Sequence, residues 1–217
     1  RRLHPRQQCS SAVVTERGGK PPFSVERAPR PDSFRGQGAG NIVAPVGTGY
    51  RSAMPAVRHA SFAPHVAPDT RLLILGSLPG VRSLAARQYY AHPTNQFWRL
   101  LGAVVDRPLA DMPYDHRLAA LREAKVGLWD VIRSAERHTS SDSLIREAEA
   151  HDLAALIAEL RDLSMVAFNG GTAAAIGRKQ LPPLDRITLV DLPSSSAAHT
   201  IGFDKKRDRW LALRGAL

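Results

Sequence analysis

Residues 71–80 read RLLILGSLPG. Four aliphatic residues in a row, Leu72 to Leu75, end at a glycine and run into Ser-Leu-Pro-Gly. So short an unbroken apolar run fits a strand buried on both faces, and the Gly/Pro pair that follows cannot continue it and must turn the chain. Working outward, VGLWDVI (126–132), SMVAFNGG (164–171) and RITLVDLP (186–193) have the same form, a short apolar run closing in a turn. Helical spacing falls between them in QFWRLLGAVV (96–105), DHRLAALREA (115–124), HDLAALIAELRDL (151–163) with Asp152 placed to cap it, TAAAIGRK (172–179) and FDKKRDRWLALRGAL (203–217). Strands alternating with helices predict an α/β fold with a mainly parallel sheet. Ligands of such sheets bind beyond the carboxyl ends of the strands, so the loops 76–80, 129–133, 169–172 and 193–200 are expected to share one edge.

Composition narrows the function classes. The 217 residues suffice for one domain with a substantial core, and 43% apolar content suits a globular chain. The single cysteine, Cys9, excludes a disulfide framework and a cysteine-built zinc or iron–sulfur site, and implies a reducing, cytoplasmic compartment. No apolar run approaches the roughly 20 residues a membrane span needs. The net charge of +10 is uneven: residues 1–53 hold nine Lys/Arg against three Asp/Glu, and 13 of the chain's 32 Gly and Pro. That segment is expected to be a disordered basic extension, upstream of a natural start at Met54, with the folded domain over 54–217. The domain itself is only mildly basic, which permits a polyanionic partner without requiring one.

The chemistry concentrates in three stretches. Gly76-Ser77-Leu78-Pro79-Gly80 is neither a dinucleotide fingerprint nor a P-loop, but a turn leaving a strand exposes backbone N–H groups to a ligand. In YYAHPTNQFW (89–98), Phe97 and Trp98 lead into an apolar helix and are expected in the core, whereas Tyr90, His92 and Asn95 precede it in a proline-bearing loop. LPSSSAAH (192–199) follows a buried strand with small hydroxyl residues suited to close approach and phosphate contact. Lys205, Lys206 and Arg207 open the last helix as phosphate contacts or as a solvated face. Asp130 and Asp142 fall near predicted loops and receive no role. No carboxylate pair, histidine cluster or nucleophile elbow is evident, and no metal is expected.

Taken in order, GSLPG, YYAHPTNQFW, LWDVI, FNGG and LPSSSAAH resemble the uracil-DNA glycosylase superfamily, nearest its hypoxanthine- or deoxyinosine-DNA glycosylase branch, from about Ser61 to Leu217. The resemblance implies a three-layer α/β/α sandwich around a four-stranded sheet, and hydrolytic removal of a deaminated base from DNA without metal or cofactor. In the related mismatch-specific branch an Asn of the first motif positions the water. Here that position is Leu78, and the implied catalytic amide is Asn95 of the His-Pro-x-Asn motif. Tyr90 maps to the aromatic that stacks on the extruded base. The implied base pocket comprises Gly76, Ser77, Leu78, Pro79, Tyr90, His92 and Asn169. The implied DNA-backbone contacts are Ser194, Ser195, Ser196, Ala198, His199, Lys205 and Lys206. The expected partner is damaged DNA, met by a monomer in the cytoplasm or nucleoid. Two other readings stay open: a uracil- or mismatch-specific glycosylase, and a catalytically silent damage- or nucleotide-binding module, which Leu78 favours.

Overall fold

The computed structural model describes residues 57–136, 141–142 and 145–217. The expected extension over 1–53, the start at Met54 and most of the 138–143 stretch lie outside them. Four strands make the central sheet: β2 (Leu72–Gly76), β3 (Val126–Asp130), β6 (Met165–Asn169) and β7 (Thr188–Leu192). Their order is β3-β2-β6-β7, and every pairing is parallel. The RLLILG strand therefore sits inside the sheet, which explains why all five residues of β2 are buried.

Period-two alternation divides the core. Leu72 and Ile74 pack with Phe97, Leu100 and Trp210 on one face, while Leu73 and Leu75 pack with Leu156, Ile157 and Ala173 on the other. The first face carries α2 (Phe97–Val105), α3 (Tyr114–Glu123) and α6 (Phe203–Trp210). The second carries α4 (Leu153–Glu159) and α5 (Gly171–Gln180). This is the three-layer α/β/α arrangement. In α2 the buried positions Phe97, Leu100, Leu101 and Val104 follow helical spacing, so one stripe faces the sheet. Asp152 caps α4 as expected, accepting a hydrogen bond from the Ala155 N–H at 2.9 Å.

The structure departs from the sequence expectation in three places. The 151–163 segment is helical only to Glu159; Leu160 and Leu163 then bond three residues back and bury their side chains as turns. The terminal helix ends at Trp210 and continues as a 3₁₀ segment, Leu211–Ala216. The 126–132 run does not end in a simple turn. After one residue, Val131, the chain re-enters a strand, β4 (Ile132–Glu136), between β1 (Arg58–Ala60) and β5 (Arg146–Ala150) in a separate antiparallel sheet. A further short helix, α1 (Val81–Ala86), follows the GSLPG turn. Among the described residues no helix is long and apolar enough to cross a membrane.

Candidate functional site

Register brings the site together. Gly76 is level with Asp130 on one side, Leu75 with Phe168 on the other, and Asn169 with Leu192 beyond. Asp130, Gly76, Asn169 and Leu192 thus form one row along the carboxyl edge of the sheet, and the four loops expected there do meet. They border a cleft of about 620 Å³ that also receives Tyr90, His92 and Asn95 from the loop before α2. That volume lies within the range of small-ligand pockets.

The floor is tightly built. A Cβ added at Gly76 would lie 2.7 Å from the Asp130 Oδ1 and 2.9 Å from the Tyr90 hydroxyl. Only glycine lets both groups close over the strand end. Asp130 is 3% exposed and faces this floor, yet its place among loop residues in the sequence gave no reason to single it out. Leu78 is 5% exposed and joins the core cluster of Trp129, Val131 and Leu75. At the position where the mismatch-specific branch has its Asn, this chain sends a side chain into packing. Ser77 donates its hydroxyl to Asp142 Oδ2 at 2.7 Å, placing a second carboxyl group on the cleft wall.

Tyr90 adopts φ +53°, a left-handed conformation that costs a bulky residue about 1–3 kcal/mol. Its surroundings enforce it. The ring stacks on Phe97, with centroids 3.6 Å apart and planes 10° from parallel, and Phe97 in turn meets Trp210 edge-on. The Tyr90 hydroxyl bonds the Asn169 side chain, while burial and the nearby Asp130 push its pKa upward, so it remains a neutral phenol. On either side, the Tyr89 N–H donates to the Tyr114 hydroxyl at 2.9 Å and the Ala91 N–H to Ser83 Oγ at 3.1 Å. Phe97 and Trp98 are buried, as their lead into an apolar helix predicts.

Asn95 Oδ1 accepts the Phe97 N–H at 2.9 Å, capping the first turn of α2. That bond fixes the carboxamide and leaves its oxygen a second lone pair. His92 is exposed on the rim, and its Nδ1 accepts the Thr94 N–H.

The serine loop is ordered largely by its own groups. The Ser196 N–H donates to Ser194 Oγ and the Ala198 N–H to Ser196 Oγ, so these hydroxyls act as acceptors within the loop and keep their O–H donors. Ser195 is 1% exposed: its N–H donates to Asn169 Oδ1 at 2.8 Å, and its Oγ accepts from Asn169 Nδ2 at 2.9 Å. Asn169 therefore ties Ser195 of the loop through both carboxamide atoms and also meets the Tyr90 hydroxyl at the cleft floor. Lys206, expected at the surface, is 1% exposed and donates to the Ser196 carbonyl at 2.8 Å, whereas Lys205 is exposed. Ser194 and Ser196 are half-buried, and Ala198 and His199 are exposed at the cleft rim. Among the described residues no group of three or more His, Cys, Asp or Glu side chains is arranged to hold a metal ion.

The family model of the uracil DNA glycosylase superfamily matches residues 63–214, which contain every element bordering this cleft. The chain belongs to the uracil DNA glycosylase superfamily. Within it, the chain is 37% identical over 145 residues to a hypoxanthine DNA glycosylase of Methanosarcina acetivorans, covering 67% of this chain and 90% of that one. It is 40% identical over 114 residues to the hypoxanthine DNA glycosylase of Methanosarcina barkeri, covering 52% and 72% respectively. A solution NMR structure of a candidate uracil DNA glycosylase from Methanosarcina acetivorans superposes with a TM-score of 0.65 at 33% identity, over 74% of this chain and 99% of that one. The four-stranded parallel sheet and its flanking helices are thus the superfamily's fold, with the serine loop and the GSLPG turn on its shared edge.

Proposed function

We propose that this protein is a DNA glycosylase that hydrolyses the bond between deoxyribose and a deaminated base, with hypoxanthine as the foremost substrate. The observation that carries it is the convergence of Tyr90, Asn95, Asp130 and the Ser194–Ser196 loop on one cleft, in a chain whose relatives are named for hypoxanthine DNA. A base within a duplex is out of reach, so the enzyme extrudes it. The base then lies on Tyr90 and extends the Phe97–Tyr90 stack; base–aromatic stacking is worth about 1–3 kcal/mol, comparable with the cost of unstacking.

Asn95 holds the hydrolytic water on its remaining lone pair. The glycosidic bond breaks with its electron pair leaving on the base, the oxocarbenium-like sugar takes the water oxygen at its anomeric carbon, and the proton that the water sheds neutralises the departing base. The flanking phosphates, gripped by the Ser194 and Ser196 hydroxyls, lie close enough to stabilise that cation. No lysine borders the cleft among the described residues, which supports base release without Schiff-base strand cleavage. Leu78 favoured a silent module, but its core packing leaves the case for Asn95 intact.

Asp130 supplies selectivity. Hypoxanthine, uracil and xanthine carry a ring N–H beside a carbonyl, where adenine and cytosine carry a bare nitrogen lone pair. A carboxyl oxygen on the cleft floor accepts that N–H and repels the lone pair. Guanine and thymine share the N–H, so their exclusion rests on the cost of extruding them from sound pairs and on pocket shape. The protein is expected to act as a monomer in the cytoplasm, where its DNA lies.

The test is single-turnover base release from I·T, U·G and xanthine duplexes by the wild type and Asn95→Ala. Release of hypoxanthine by the wild type, falling at least a hundredfold in Asn95→Ala while DNA binding persists, is the expected outcome. Full activity of Asn95→Ala would remove the catalytic assignment; no release from any substrate would favour the binding module.

A further inference from the structure

Lysine is almost never fully buried unless paired, yet Lys206 is 1% exposed. Its hydrogen-bond partner is neutral, the Ser196 carbonyl at 2.8 Å. Burial lowers its pKa, and no ion pair to it is found among the described residues. The same carbonyl already accepts the His199 N–H within the loop, so the lysine is not needed to satisfy it. Around it the loop is pinned by neutral donors: the Trp210 indole to the Pro193 carbonyl at 3.1 Å and the Gln96 N–H to the Ser195 carbonyl at 2.9 Å. Packing alone would be served by a methionine, and hydrogen bonding alone by a glutamine. An ammonium beneath a loop whose hydroxyl donors face the cleft calls for an anion on the other side of that loop.

We propose that Lys206 is a positioning residue whose counter-charge is the DNA: it holds the Ser196 carbonyl from beneath, and a phosphodiester seated on the Ser194 and Ser196 hydroxyls supplies the anion. The lysine never touches the phosphate. It acts through one residue of loop, well within the Debye length of about 10 Å at 0.1 M salt and through protein rather than water. Across such a separation at an effective dielectric of 20, unit charges attract by the equivalent of roughly tenfold in affinity. The role rests on the cleft being a DNA site, and the experiment separates the two claims.

The experiment uses the full chain and a 20-base-pair undamaged duplex as probe, with Kd measured by fluorescence anisotropy across a range of salt concentrations. Lys206→Gln keeps a donor for the Ser196 carbonyl but discards the charge; Lys206→Arg keeps the charge. The expected result is that Lys206→Gln binds roughly tenfold more weakly at low salt, with a shallower dependence of log Kd on log salt, and melts no lower than the wild type. Lys206→Arg is expected to restore the slope. Equal Kd and equal slope in Lys206→Gln would overturn the role of Lys206 while leaving the DNA site standing. Absence of DNA binding by the wild type would overturn both. Should Lys206→Gln fail to fold, the wild-type Lys206 ammonium signal decides by NMR: a shift on adding duplex, larger than that of Lys205, supports the role, and no shift overturns it.

Discussion

One methyl group at Gly76 tests whether the cleft floor is assembled as described. In Gly76→Ala the new carbon would meet the Asp130 Oδ1 at 2.7 Å and the Tyr90 hydroxyl at 2.9 Å, where ordinary contact begins at 3.4 Å. Each group must therefore retreat by about half an ångström or more. Neither can do so freely: Asp130 is buried at the end of β3, and Tyr90 is held between the Phe97 stack and the Asn169 side chain. Overpacking of this kind costs about 1–3 kcal/mol, which for a domain of this size lowers Tm by about 2–12 °C. The kinetic cost is larger in proportion. A 1 Å misplacement of positioning groups can cost about a hundredfold, so half that shift should reduce single-turnover release of hypoxanthine by about tenfold or more. Binding of undamaged duplex, proposed above to rest on the serine loop, should change less than about twofold. Gly171→Ala is the control, because a Cβ there meets nothing within 4 Å, and helix propensity predicts a neutral or slightly stabilising effect. A Gly76→Ala protein with wild-type Tm and wild-type release would refute the close approach of Asp130 and Tyr90 over the strand end.

Two further expectations concern single side chains. Asp130→Asn places a donor where the base N–H should meet an acceptor, so release of hypoxanthine should fall at least tenfold and inhibition by free hypoxanthine should weaken relative to free adenine; equal loss toward both would show that Asp130 does not read the base. His151, whose ring lies tilted against Trp129 with centroids 3.9 Å apart and which is bonded to Ser61 Oγ, has its pKa pushed down to about 4, first by burial and then by Arg133. Between that value and the ordinary 6.5 the unfolded chain binds a proton that the folded chain refuses, so stability should rise with pH across this window. The ceiling is about 3 kcal/mol, and partial exposure reduces it to roughly 1–2 kcal/mol. A Tm series from pH 4 to 7 should be flatter in His151→Gln, and parallel profiles would remove His151 as the cause.

Strands β2, β3 and β6 were readable because they bury both faces. LLIL and VAF have no polar position to mislead, and the glycines that follow mark the carboxyl edge. The second sheet was not readable for the opposite reason. All five residues of β5, REAEA, are exposed and none is a large apolar residue; the strand is held by its pairing with β4 and by Arg58 and Arg133 converging on Glu149. In the site, Tyr90 and Asn95 stood out as polar groups in a loop ahead of an apolar helix. Which side chains are spent internally was beyond a linear reading. Ser195 and its neighbours are chemically identical in sequence, and only the placement of Asn169 turns the middle one inward. Lys206 differs from Lys205 by about 100° of helix rotation, enough to bury one and expose the other. Asp130 gained meaning only when register set it beside Gly76.

The internal wiring of the serine loop bears on how such a protein finds its target. Ser194 and Ser196 hold their own backbone; under the proposed function their hydroxyls meet phosphodiesters, a contact that reads no sequence. A grip of that kind favours travel along the duplex over residence at one place, since each step exchanges one phosphate for the next at little cost. Selection is then deferred to the moment a nucleotide leaves the stack. A protein built this way can patrol undamaged DNA and stop only where a base yields.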